Sequence, residues 1–274
     1  MFCSSYFRLC TCLGLLYATA LLLPNVQGGS ATWKTAPTDG SWSNTANWSP
    51  ATVPQASDTA TFNNSSITTI SETLGFGSLG AYQFNAGASA YTINYYPAFT
   101  FQINGTGVTN NSGMLQNFSV PPSNQFREPI NTVVSFQNSA TAGSLTQWTV
   151  KGSAVGAYYE GQLLFNGTSS ASGATIMVTP GGSDIGGEDG DGFGGVLDFL
   201  GSSTASSANI TALGGPAGAD FGSAPSITFE NNATAARRRS WATAARSVTL
   251  SGRRSSFSTR PRLRQLRSPT TRAP

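Results

Sequence analysis

The chain of 274 residues contains no histidine. That absence removes Ser-His-Asp and Cys-His nucleophilic sites and the commonest metal-ligating side chain. Cysteine is nearly as scarce: Cys3, Cys10 and Cys12 are the only three, all near the start. Charge is thin, with 10% Asp, Glu, Lys and Arg, against roughly 25% in an ordinary soluble domain. The main apolar run, residues 13–23, is eleven residues long, well short of the ~20 that span a bilayer as a helix.

Residues 1–28 read as a secretory signal peptide. Arg8 is the lone early cation, the apolar run follows, Pro24 breaks it, and Val26-Gln27-Gly28 offers compact residues for cleavage before Gly29. The competing reading is an uncleaved membrane anchor, which the length of the run opposes. Because all three cysteines fall here, the mature chain is expected to carry no disulfide and no thiolate chemistry, and to depend on packing and backbone pairing. The expected location is secreted or cell-surface, with no integral membrane segment once the signal is cleaved. The mature length suits one sizeable domain.

What the chain has in quantity is repetition. Val133-Val134-Ser135-Phe136 is followed by Gln-Asn-Ser-Ala-Thr-Ala, and Gln162-Leu163-Leu164-Phe165 by Asn-Gly-Thr-Ser-Ser-Ala. Val196-Leu197-Asp198-Phe199 is followed by Leu-Gly-Ser-Ser-Thr-Ala, and Ser226-Ile227-Thr228-Phe229 by Glu-Asn-Asn-Ala-Thr-Ala. The four phenylalanines stand 29, 34 and 30 residues apart, a period that marks stacked arrays. In each unit a strand-like run ends in Phe, a small polar bend follows, and a second strand-like run comes next: residues 145–150, 174–178 and 208–212. One unit cannot bury its own apolar face, whereas stacked units bury a continuous column, Phe over Phe. The expected fold is all-β: a right-handed parallel β-solenoid (β-helix) of roughly 30-residue units. The alternative is a β-sandwich of similar short strands. Residues 67–70, 81–84, 91–95 and 99–103 read as earlier strands, with Phe99, Phe101 and Ile103 alternating toward one face.

The expected organisation is a signal peptide over 1–28, a Trp-rich N-terminal cap over 29–62, solenoid repeats over 63–236 and a basic, disordered tail over 237–274. The entry segment holds Trp33, Trp42 and Trp48 within sixteen residues. These rings have two readings: a plug over the open end of the apolar column, or an exposed platform on which sugar rings stack.

The order Thr32-Trp33, Gly40-Ser41-Trp42, Ala46-Asn47-Trp48, Pro54 and Asp58-Thr59-Ala60-Thr61-Phe62, followed by the Phe and Ser/Thr-Ala units, resembles bacterial autotransporter-associated β-strand-repeat proteins over residues 31–235. The resemblance implies a secreted or surface-displayed β-helix passenger or adhesive stalk with no catalytic motif to transfer. Its partner would be a surface polysaccharide or the surface of a host or neighbouring cell. The pattern breaks after Ala235, where neither an outer-membrane barrel nor a sorting anchor is recognisable. A truncated or frameshifted passenger is therefore expected.

Little remains for chemistry. The segment Gly186-Gly-Glu-Asp-Gly-Asp-Gly-Phe193 resembles one imperfect calcium-binding nonapeptide, which makes Asp184, Asp189 and Asp191 the candidate Ca²⁺ ligands. A solvated insertion explains the same text and the 34-residue unit. No other cofactor is expected. Right-handed β-helices include pectin lyases and polygalacturonases, so a carbohydrate-active protein is the runner-up to a non-catalytic one. Paired carboxylates need no histidine. Asp198 and Glu230 flank repeat phenylalanines, and Lys151 or Arg127 are the available lyase bases, though none sits in an active-site motif.

Charge divides the chain. Residues 29–236 hold three basic and twelve acidic residues, a net of −9, and residues 237–274 hold eleven arginines and no acid. Such a tail either binds polyanions or is a frameshift product of Gly/Ala-rich coding. Nucleic-acid binding is expected only if the tail is genuine.

Overall fold

The computed structural model describes residues 29–72, 77–123, 130–157, 159–182, 192–214 and 224–235. The expected signal peptide, the basic tail, Arg127 and the three candidate calcium ligands Asp184, Asp189 and Asp191 lie outside the described residues.

The described chain is all-β. The strands are β1 (Ala31–Trp33), β2 (Trp48–Ser49), β3 (Thr59–Phe62), β4 (Thr69–Ser71), β5 (Gly77–Phe84), β6 (Thr92–Asn94), β7 (Thr100–Asn110), β8 (Gln116–Val120), β9 (Thr132–Phe136), β10 (Thr146–Val150), β11 (Gly161–Phe165), β12 (Thr175–Val178), β13 (Val196–Phe199), β14 (Asn209–Ala212) and β15 (Ser226–Phe229). From β3 onward the chain alternates between two sheets. The first has nine strands in the order β15-β13-β11-β9-β7-β5-β3-β1-β2, and the second has six, β14-β12-β10-β8-β6-β4. Every strand pair is parallel except β1 with β2. A β-sandwich built from hairpins would give antiparallel neighbours; the parallel pairing seen here is compatible with a β-solenoid. Neither sheet closes on itself.

Parallel pairing in fixed register turns the repeat into columns. In the first sheet Phe136, Phe165, Phe199 and Phe229 are successive partners, beside a column of Val134, Leu163, Leu197 and Ile227. The phenyl rings lie 4.9, 4.8 and 4.6 Å apart and within 7° of parallel. That spacing is the distance between neighbouring strands, about 4.8 Å. In the second sheet Ile70, Ile93, Phe118, Trp148, Ile176 and Ile210 form one column. All six are buried, and the Phe118 and Trp148 rings stack at 4.1 Å and 6°. The columns of both sheets belong to one continuous core.

The bends repeat as faithfully. Two residues after each phenylalanine stand Asn138, Gly167, Gly201 and Asn231, all with φ between 57° and 67°. This left-handed conformation favours Gly and tolerates Asn. Five residues after each phenylalanine stand Thr141, Ser170, Thr204 and Thr234, joined in a ladder of single parallel bridges that begins at Gly107. Behind it Ala140, Ser169 and Ser203 are buried.

The register departs from uniformity between β5 and β7. Leu79 pairs with Ile103 but Ala81 pairs with Gly107, a bulge that divides each strand in two. Phe62 and Phe84 form a stacked pair on the half of β5 that follows the bulge, at 4.8 Å and 20°, while Leu79, on the half that precedes it, and Ile103 lead into the Phe136 column. Of the alternating set 99–103, Phe101 and Ile103 are buried; Phe99 is only partly buried and packs against exposed Tyr96.

Candidate functional site

The tryptophan segment is the first place to look, and it is interior. Trp33, Trp42 and Trp48 are at most 1% exposed. Their rings meet edge-on: Trp33 and Trp48 at 5.0 Å and 79°, Trp42 and Trp48 at 4.8 Å and 69°. Each indole N–H is used within the chain, donating to the carbonyls of Ile67, Pro54 and Trp42 respectively. A sugar platform needs exposed, roughly coplanar faces, so these rings do not form one. They fill the core at the β1/β2 end of the first sheet, against Phe62.

The other residues of the same motif have equally structural duties. Asn47 is fully buried. Its Oδ1 accepts from Thr38 N, Thr38 Oγ1 and Asp39 N, and its Nδ2 donates to Asp39 Oδ1 and Ser41 O. Hydrogen bonds from Asn47, Ser41 and Asn44 hold the exposed Asp39 carboxyl below its ordinary pKa. At Gly40 a Cβ would stand 2.5 Å from the Thr69 carbonyl oxygen, so this approach of two backbones excludes any other residue.

The acidic candidates lie on the first sheet. Asp198 pairs with Leu164 on one side and Thr228 on the other, between the inward residues Leu197 and Phe199. Burial pushes its carboxyl pKa up; a hydrogen bond from Thr228 opposes that, and the negative charges of Glu230 and Glu160 add to it. Glu160, which the sequence did not single out, accepts from Gln162 Nε2 at 2.8 Å and from Asn131 Nδ2 at 3.4 Å. The described residues contain no group of three or more His, Cys, Asp or Glu able to hold a metal ion. Lys151 is exposed and directly follows β10, in the second sheet, while Asp198 and Glu230 belong to the first.

The outward side of the second sheet has a different character. Six residues form one row: Thr69, Thr92, Asn117, Gln147, Thr175 and Asn209. A second row, two positions on, holds Ser71, Asn94, Ser119, Thr149, Met177 and Thr211. All twelve are exposed or half-exposed, and all but Met177 carry a hydroxyl or an amide. None of these eleven side chains hydrogen-bonds another group among the described residues. On the first sheet, by contrast, some polar side chains bond one another: Gln137 with Ser135, Gln162 with Glu160, Gln83 with Asn85.

Two buried polar groups lie deeper. Tyr82 and Tyr95 share a hydrogen bond between their hydroxyls at 3.1 Å. Burial raises both pKa values, and the charge of Glu72 adds to the effect. Among the described residues no helix is long and apolar enough to cross a membrane. Comparison with protein-family models, curated proteins and solved structures finds no match.

Proposed function

We propose that this chain is the body of a secreted or surface-displayed right-handed β-solenoid, a passenger-like protein whose work is structural and adhesive rather than catalytic. The observation that carries this reading is the constant register of the columns, from β9 to β15 in the first sheet and along all six strands of the second. Each unit adds one strand to each sheet and one apolar side chain to each column, so added units would lengthen a stiff body without changing its cross-section. The resemblance of residues 31–235 to autotransporter-associated repeats supports the same role, and the lack of histidine removes Ser-His-Asp and Cys-His sites. Small-angle scattering tests the shape: duplicating one unit should lengthen the longest dimension by about 4.8 Å without widening the cross-section, and a wider cross-section would overturn the reading. Immunolabelling of intact source cells tests the location, with surface or medium staining expected.

A second reading is carbohydrate hydrolysis. It is favoured by the raised pKa of Asp198 near Glu160 and Glu230, since a general acid needs a pKa above the ordinary carboxylate range. Release of reducing ends from a panel of polysaccharides, abolished by Asp198→Asn, would establish it.

A further inference from the structure

We propose that the outward strip of the second sheet binds one extended, neutral polysaccharide chain. This names the partner of the adhesive reading and rests on it.

Charge comes first. None of the twelve strip residues is charged. Glu72 and Lys151 each follow the last residue of a strand; Glu72 is 2% exposed and Lys151 stands at the border. A polyanion would find no matching cations on the strip and a polycation no anions. What the strip offers is hydroxyls and amides, which pair with neutral hydroxyls as both donors and acceptors.

Geometry comes second. Strands recur about every 4.8 Å, so six strands extend the strip about 24 Å, while two outward residues per strand span only about 7 Å. The area, of order 170 Å², is far below the ~800 Å² per partner of a stable protein interface. A slender linear polymer lying along the strip fits those dimensions. Because the rows are in register, the same chemistry recurs at each strand, and a ligand of repeating units meets it repeatedly.

Availability comes third. Side chains already bonded to one another would have to give up those bonds to take a ligand. The strip's side chains have no such bonds among the described residues, whereas on the first sheet Gln83, Gln137 and Gln162 are each bonded to a neighbouring side chain. Leu115 and Leu145, 41% and 52% exposed, precede the strip residues Asn117 and Gln147 by two positions. They add an apolar border suited to the C–H faces of sugar rings.

The test is affinity electrophoresis and equilibrium binding of the full mature chain with soluble linear β-glucan, xyloglucan and polygalacturonate, in 0.5 M NaCl so that the arginine-rich tail is screened. Retardation by at least one neutral glycan is expected. The triple variant Asn117→Ala, Gln147→Ala, Thr175→Ala should weaken it at least tenfold, with unchanged circular dichroism. The control Gln102→Ala, Gln162→Ala on the first sheet should bind as the parent does. Equal binding by the strip variant would overturn the proposal, as would binding confined to polygalacturonate or to no glycan. Adhesion of the chain to cells in the same salt separates the two ideas. If parent and strip variant adhere equally, the adhesive reading stands and the strip proposal falls. If neither adheres and no glycan binds, both fall.

Discussion

Replacing Phe165 by alanine is the sharpest test of the stacked core. The side chain is fully buried, with Phe136 at 4.9 Å on one side and Phe199 at 4.8 Å on the other. Truncating a buried Phe to Ala costs about 3–5 kcal/mol in lost transfer energy and residual cavity. Ring–ring contacts, about 0.5–1.5 kcal/mol each, are part of that figure. Phe165 loses two such contacts, so its cost belongs at the upper end, about 4–5 kcal/mol. Phe229 is the built-in comparison. It is only partly buried, and its sole ring partner among the described residues is Phe199 at 4.6 Å. Phe229→Ala should cost about half as much, roughly 2 kcal/mol, because the side chain is only partly buried and loses one ring contact rather than two. Urea unfolding followed by circular dichroism and by tryptophan fluorescence measures both. Arrays can lose two-state behaviour, and since Trp33, Trp42 and Trp48 sit at the β1/β2 end, diverging transitions would locate the break. Equal costs at the two positions, or a Phe165→Ala cost under about 1 kcal/mol, would refute the column as a source of stability.

Other expectations follow from single groups. Ser169 and Ser203 bury hydroxyls with no hydrogen-bond partner among the described residues, and Ala140 already occupies the equivalent place one unit earlier. Ser169→Ala and Ser203→Ala should each be neutral or stabilising by up to about 1 kcal/mol; a measured loss above 1 kcal/mol would show an unseen partner. Asp198 has a raised folded-state pKa, so its ionised form opposes folding, and that penalty grows as pH rises from the unfolded carboxyl value, about 3.9, through the folded one. Asp198→Asn should therefore melt higher than the parent at pH 7, with the gap closing toward pH 3; a gap that widens on acidification contradicts the assignment. Burial pushes the Tyr91 hydroxyl up to about 12. Its contribution to stability is whole below the unfolded value near 10 and is lost as pH rises from there through 12. The difference in ultraviolet absorbance titration between the parent and Tyr91→Phe should show one group titrating near 12.

Much of this architecture is written along the chain. The absence of histidine removes Ser-His-Asp and Cys-His sets before any folding is considered. The phenylalanine spacing and the alternation Val134, Phe136 and Leu163, Phe165 mark which residues face inward, because successive side chains in a strand point to opposite faces. Even the left-handed bends are legible afterwards: Asn138, Gly167, Gly201 and Asn231 all stand two places after a phenylalanine. What alternation does not report is which strand lies beside which. The bulge between Leu79 and Ala81 breaks the early register, so the strands before β9 show no crisp repeat although they join the same sheets. The tryptophans posed the same difficulty, since a dense aromatic cluster reads alike whether its faces are open or closed, and only packing against Phe62 and the bonding of all three indoles closed them. The neutral strip was the least visible of all. Thr92, Asn117, Gln147 and Thr175 are 25 to 30 residues apart and unremarkable singly; they become one surface only when parallel pairing sets them side by side.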